Sequence, residues 1–274
     1  MKYGVVFPRG DPLSAVSLAQ EAENAKWDGF FMWEPIWGVD VWVTLSAIAM
    51  RTENIKLGTM VTPVSRCRPW KLVSETATLD QISNGRVILS VALGALDTGF
   101  KEFGEETDRR IRAKLLDEGL DIITGLWQGP PFSYVGKYYK IREANFFKRH
   151  PPPIPKQIPR IPIWVVGAWP RKKSMERVLR YDGILPTKIK DDGSFIPISP
   201  EDLFEIKTFI QENRSLTTPF DIVIEGTTPG NDQEKSLSIT EPFAEAGATW
   251  WIEAMWTSDK LQVVRKRIQQ GPPK

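Results

Sequence analysis

Apolar residues along this chain fall in short runs, and the stretches between them carry helical spacing. The first run is Tyr3 to Phe7. Asp11-Pro12 then reads as a helix cap followed by a proline at the first helical position, and the helix LSAVSLAQEAENAKW stops at Asp28-Gly29. The same alternation predicts strands over Gly29 to Trp33, Ile55 to Val61 and Arg86 to Ala92. The helices between and after them cover Val41 to Met50, Pro69 to Ile82 and Thr107 to Trp127. Between Gly129 and Pro162 the rhythm breaks. Phe132 to Ile141 reads as a small hairpin turning at Gly136-Lys137, and six prolines from Pro151 to Pro162 exclude regular structure. The alternation then resumes with strands Ile163 to Val166, Gly183 to Leu185, Phe220 to Glu225 and Thr249 to Ala254. Their helices are Pro170 to Arg180, Pro200 to Asn213, Glu234 to Ala246 and Asp259 to Gln269. Eight strand–helix units predict an α/β fold, a (β/α)₈ TIM barrel, with residues 1–274 as a single domain and the irregular stretch as an excursion between strands 4 and 5.

Composition narrows the chemistry. The 36 basic and 34 acidic residues leave a net charge of +2, too balanced to argue for nucleic acid or an anionic membrane. No apolar window approaches a membrane span, and the N-terminus lacks the pattern of a signal peptide. With Cys67 as the sole cysteine no intrachain disulfide forms, which fits a cytoplasmic setting. The one histidine, His150, precedes three prolines and reads as a solvated loop residue, so His-rich metal sites and a histidine-based triad are disfavoured. Neither a dinucleotide-binding glycine motif nor a P-loop occurs.

Active sites of such barrels lie at the C-terminal ends of the strands. Four tryptophans, Trp33, Trp37, Trp169 and Trp256, map to that rim and suit a flat-walled pocket for a planar ring. Gly167-Ala168 opens a helix whose first turn carries Arg171, Lys172 and Lys173, a pattern that fits a phosphate seat. Glu34, Glu225 and Glu253 also end strands. A pair of carboxylates across a barrel mouth is what a glycoside hydrolase needs, so that enzyme class stands beside the ring-binding one. A barrel that binds a ligand without turning it over is a third reading.

The segment from Ile55 to Gly94 is more specific. It holds Gly58-Thr59-Met60-Val61, a helix led by Pro69, then Leu79-Asp80, Ser83 and Gly85-Arg86 at fixed spacing. It closely resembles the luciferase-like flavin-dependent oxidoreductase family. Further agreement comes from Arg112-Ala113 with Leu116 to Leu120, Pro162 to Gly167, and Glu245 to Ala248. The resemblance implies a TIM barrel that binds FMN or coenzyme F-420 (F420) in its mouth, with a small-molecule substrate beside it. It implies a non-proline cis peptide at Met60-Val61 behind the ring, Leu93 and Gly94 beside it, and the phosphate near Gly167, Ala168, Trp169 and Arg171. Phe7 joins the implied cofactor set, and Trp33, Trp37 and Trp256 the substrate pocket. Many relatives carry an acidic residue followed by histidine after strand 2. This chain reads Glu34-Pro35, keeping the acid and losing the imidazole. Glu34 is the candidate catalytic residue, as a base or a hydrogen-bond partner of the ring, with the holding of a neighbouring loop as the structural alternative. The activity implied first is a monooxygenase using reduced FMN, supplied by a separate flavin reductase. F420-dependent hydride transfer and a non-catalytic flavin-binding barrel are the alternatives, and the resemblance also implies a homodimer.

Overall fold

The computed structural model describes residues 1–143, 149–190, 195–258 and 260–273. Eight parallel strands close on themselves. They are β1 (Lys2–Phe7), β2 (Gly29–Met32), β3 (Lys56–Thr59), β4 (Val87–Ala92), β5 (Ile163–Trp169), β6 (Gly183–Ile189), β7 (Asp221–Gly226) and β8 (Trp250–Ala254). Each pairs with the next, and β8 pairs with β1 from Lys2↔Trp250 to Val6↔Ala254. The expected TIM barrel is the observed fold.

The surrounding helices are α1 (Pro12–Asn24), α2 (Val41–Ala49), α3 (Pro69–Ile82), α4 (Arg109–Trp127), α5 (Lys172–Val178), α6 (Pro200–Asn213), α7 (Gln233–Ala246) and α8 (Leu261–Gln269). Their starts are written in the sequence. Asp11 accepts from the Ser14 amide at 3.0 Å, and Asp108 from the amides of Arg110 and Ile111 at 2.7 and 2.9 Å. Ser199 and Asp202 cap each other at the start of α6. Two strands run further than the alternation predicts: β5 reaches Trp169 and β6 reaches Ile189. The helix expected over Pro170 to Arg180 shrinks to seven residues, because the chain stays extended to Trp169. Asp259, the expected start of the last helix, lies outside the described residues, as do residues 144–148 of the excursion.

Side chains alternate across each strand, and the barrel interior takes one set. Phe31, Trp164 and Trp250 fill its lower half. The Phe31 ring centroid lies 5.5 Å from Trp164 and 6.0 Å from Trp250, and the two indoles are 5.3 Å apart. Glycines make room for these rings. A Cβ on Gly29 would sit 2.6 Å from the Phe31 ring, and one on Gly183 would sit 2.4 Å from Trp164. Gly58 answers a backbone constraint instead, since its Cβ would lie 2.2 Å from the Ile88 carbonyl. Large rings against absent side chains give a dry, closed floor.

The motif residues between β3 and β4 hold the opposite end from the mouth. Arg86, buried, donates to the carbonyls of Ala49, Thr52, Ile55 and Ser83. Asp80, fully buried, accepts from the amides of Lys156 and Gln157 and so anchors the proline-rich excursion. Glu118 on α4 accepts from the amides of Lys137, Tyr138 and Tyr139, pinning the hairpin whose strands are Tyr134–Val135 and Lys140–Ile141.

Candidate functional site

Above the three-ring floor the interior side chains become small. Ser90 and Ala92 follow Ile88 on β4, Val166 and Ala168 follow Trp164 on β5, and Ala254 ends β8. Met60 and Val61 pack against the same interior group, and the peptide between them is cis. The Met60 amide donates to the Met32 carbonyl at 2.8 Å, which ties this wall to β2. The Ser90 hydroxyl is buried with no hydrogen-bond partner. The upper barrel is therefore a shallow bowl over an aromatic base, where among the described residues the Ser90 hydroxyl in the wall and Trp250 Nε1 in the base have no partner. Those features fit a planar ring that carries polar atoms on its edge.

Beside the bowl a cavity of about 380 Å³ opens between the loops that follow β2 and β3. Glu34, Trp37, Trp42, Arg66, Cys67 and Glu105 are among its lining residues. The Glu34 side chain is 13% exposed. Its Oε2 accepts from the Thr62 hydroxyl at 2.6 Å, and the Thr62 and Thr59 hydroxyls are 2.8 Å apart. Arg66 Nη2 lies 3.5 Å from Glu34 Oε1 and donates to the Pro35 carbonyl at 3.1 Å. Burial pushes the Glu34 carboxyl up to about 7, against the opposing pull of the Thr62 hydrogen bond and the Arg66 charge. A carboxyl poised there exchanges a proton readily near neutral pH. Cys67 in the same wall behaves differently: burial pushes its thiol well above the usual range, so it stays protonated and is a poor nucleophile.

The expected site residues separate into two groups. Met60, Val61 and Ala168 border the bowl, Glu34 and Trp37 line the side cavity, and Trp33 and Trp256 stand half-open at the rim. Trp256 Nε1 donates to Glu225 Oε2 at 2.8 Å. Phe7, Leu93 and Trp169 face away. Phe7 points outward into the layer between barrel and helices, stacked 6.2 Å from Phe30. Trp169 does the same, edge-on to Phe209 of α6 at 5.6 Å. The Leu93 side chain packs against that outer layer as well. These residues were misplaced because the rim was read by position along the strand, and alternation sends every second side chain outward.

The glycines also have structural reasons. A Cβ on Gly167 would meet Ile184 at 2.6 Å, and one on Gly94 would meet Phe100 at 2.4 Å in a left-handed backbone with φ 86°. The phosphate seat expected at the start of α5 is altered too. The Ala168 amide is already spent on Ser174 Oγ at 2.9 Å, and a helix of seven residues offers little dipole. Basic side chains remain. Arg171 stands near Arg109 of α4, whose pKa is lowered by burial and then by the charges of Arg171 and Arg177. Arg177 is itself paired with Asp117, and this leaves Arg109 and Arg171 as the groups able to meet an anionic tail.

Glu253 does not join the mouth. It is buried, accepts from the Thr228 amide and hydroxyl at 2.8 Å each, and pairs with Arg267 at 3.2 Å. A carboxylate engaged this way has no part in the two-acid arrangement of a glycoside hydrolase. Three residues beside the site were given no role by the sequence reading. Thr62 and Arg66 set the state of Glu34, and Arg112 Nη1 donates to the carbonyls of both Leu93 and Gly94 at 2.9 Å. Thr62 follows the Gly58-to-Val61 motif directly, which was the available signal. Among the described residues no group of His, Cys, Asp or Glu is arranged to hold a metal ion, and no helix is long and apolar enough to cross a membrane.

A profile of luciferase-like monooxygenases matches residues 6–193. An F420-dependent glucose-6-phosphate dehydrogenase of Amycolatopsis mediterranei is 32% identical over 160 residues, which is 54% of this chain and 47% of that protein. The oxygenase component of a flavin-dependent trigonelline monooxygenase of Acinetobacter baylyi is 30% identical over 128 residues, 47% of this chain and 34% of that protein. The matches thus span less than half the length of either relative. Among solved structures, an F420-dependent secondary alcohol dehydrogenase in complex with an F420–acetone adduct superposes with a TM-score of 0.78 at 16% identity, over 99% of this chain and 98% of that one. At that identity the likeness is one of fold.

Proposed function

The chain belongs to the luciferase-like monooxygenase family, and from that premise we propose that it is an oxidoreductase transferring a hydride between coenzyme F420 and an alcohol or carbonyl substrate. The observation that carries this reading is Glu34, a largely buried carboxyl lifted to about 7 in the wall of a cavity sized for a small molecule. Hydride transfer to or from a carbinol carbon needs a proton moved at the oxygen, and a carboxyl of that acidity can give or take it. The F420-dependent dehydrogenase relative supports the choice of cofactor.

The residues present fit such a group. The small side chains over the Phe31, Trp164 and Trp250 floor leave space for a flat ring, and the unpartnered Ser90 hydroxyl offers it a hydrogen bond. Arg109 and Arg171 would meet its anionic tail. The bound cofactor supplies or accepts the hydride. Everything else falls to the chain: the floor excludes water, Met60 and Val61 wall the bowl, Thr62 and Arg66 orient the carboxyl, and Glu34 holds or releases the proton at Oε1 or Oε2. Pro35 follows Glu34 in this chain and no imidazole stands among the described residues that line the cavity, so proton handling falls to Glu34.

A second reading, oxygen transfer from reduced FMN supplied by a separate reductase, is favoured by the trigonelline monooxygenase relative. A spectral titration of the purified protein with F420 and with FMN, each oxidised and reduced, separates the two. Saturable binding of F420 alone supports hydride transfer, and binding of FMN alone supports the oxygenase. Binding of neither removes both.

A further inference from the structure

The charges of the cavity beside Glu34 are lopsided. Its acids are Glu34, Asp40 and Glu105, and Arg66 is its one base. Arg66 is committed: its side chain is 9% exposed, and its Nη2 is shared among the carbonyls of Glu34 and Pro35 and the Glu34 carboxyl. The Glu105 carboxylate has no hydrogen bond or ion pair among the described residues and is left to act on the cavity. On the open side stands Trp37, 82% exposed, a large indole with little packing to explain it. Trp42 lies behind.

A phosphorylated or carboxylated substrate entering this space would meet carboxylates with no free guanidinium to receive it. A positive group would meet the unpaired carboxylate and an indole face, which attracts cations. We infer that this cavity selects a substrate bearing an organic cation, an amine or quaternary ammonium, held between the Trp37 ring and the Glu105 carboxylate. The inference rests on reading the cavity as the substrate's, and it sets this chain apart from a relative named for glucose 6-phosphate. The volume of about 380 Å³ admits a ring with a short side chain.

The test uses the protein without added cofactor and three probes of similar size that differ in charge: benzyltrimethylammonium, benzyl alcohol and benzyl phosphate. Binding is followed by calorimetry and tryptophan fluorescence. The expected order is cation, then alcohol, then phosphate, with the cation at least about tenfold tighter than the phosphate. Trp37→Ala is expected to weaken the cation about two- to thirtyfold. Glu105→Gln is expected to narrow its advantage over benzyl alcohol while leaving the alcohol's own affinity in place. Equal or tighter binding of benzyl phosphate, no binding of any probe, or an unchanged order in both variants overturns the proposal. No cofactor or turnover enters the measurement, so its outcome is independent of the F420 and FMN titration.

Discussion

Two strand ends carry a glutamate, Glu34 just past β2 and Glu253 within β8, and the barrel has put them to opposite uses. On the β2–β3 edge Glu34 is held by one hydroxyl and a loosely placed guanidinium 3.5 Å away, and it faces a cavity. On the β7–β8 edge Glu253 is 1% exposed and bound by an amide, a hydroxyl and Arg267. Burial penalises the Glu34 charge. The Glu253 edge surrounds its acid with an amide, a hydroxyl and a guanidinium, whereas Glu34 has fewer donors and burial lifts it to about 7. The two acids thus differ in what surrounds them: Glu253 is locked into a structural network and Glu34 is left facing a cavity.

The firmest way to break this contrast is to strip Glu253. Arg267→Ala leaves a buried carboxylate short of its cation and is expected to cost about 3–5 kcal/mol by denaturant unfolding, whereas replacing Glu253 and Arg267 together by methionines costs less than either single change. A double variant worse than both singles would contradict a purely structural pair. On the other edge, Glu34→Gln is expected to lower turnover by about a hundredfold or more while stabilising the fold at neutral pH. The sign follows from the raised pKa. The fold prefers the protonated acid, so the contribution of Glu34 to wild-type stability is fully present below about 4.5 and declines by roughly 3 kcal/mol as pH rises through about 7. The variant lacks that decline, and unfolding midpoints across the window reveal whether it is present. In wild type, alcohol oxidation, which needs the base form, should rise through the same pH window in which carbonyl reduction falls.

A smaller change sharpens the comparison without removing an acid. The Thr62 hydroxyl lowers the Glu34 pKa, so Thr62→Val moves the activity midpoint alkaline by about half to one pH unit. A midpoint that stays put would show that the hydrogen bond does not tune the carboxyl. The mildest test is Trp256→Phe, which frees Glu225 of its indole donor at an exposed rim. It should change stability by about 0.5 kcal/mol or less.

Most of the barrel was legible from alternation and caps. Pro69–Ile82 and Pro200–Asn213 match at both ends, because proline and the residues before it mark where a helix starts. The site was only half legible. Sequence position puts a residue at a strand end, but alternation decides whether it faces the bowl, and that parity misled for Phe7, Leu93 and Trp169. Glu34 was legible as an acid but its state was not, since Thr62 and Arg66 approach it from about thirty residues away. The motif that carried the family resemblance splits in two: Met60 and Val61 border the bowl, while Asp80 and Arg86 satisfy loop backbone at the far end of the barrel. Part of a family signature can therefore lie where it serves the fold and not the site.

The floor has a consequence for how this molecule can be watched. Trp164 and Trp250 lie 5.3 Å apart with their rings at 66°, both fully enclosed. Two indoles that close and skewed share their excited states, and such a pair gives a paired circular dichroism signal that isolated tryptophans do not. The pair draws one ring from β5 and one from β8, so the signal exists only while distant parts of the chain are closed around each other. Any pigment seated in the bowl above would drain their emission. The packing that seals the barrel thus doubles as an intrinsic optical gauge of its integrity and occupancy, with no label attached.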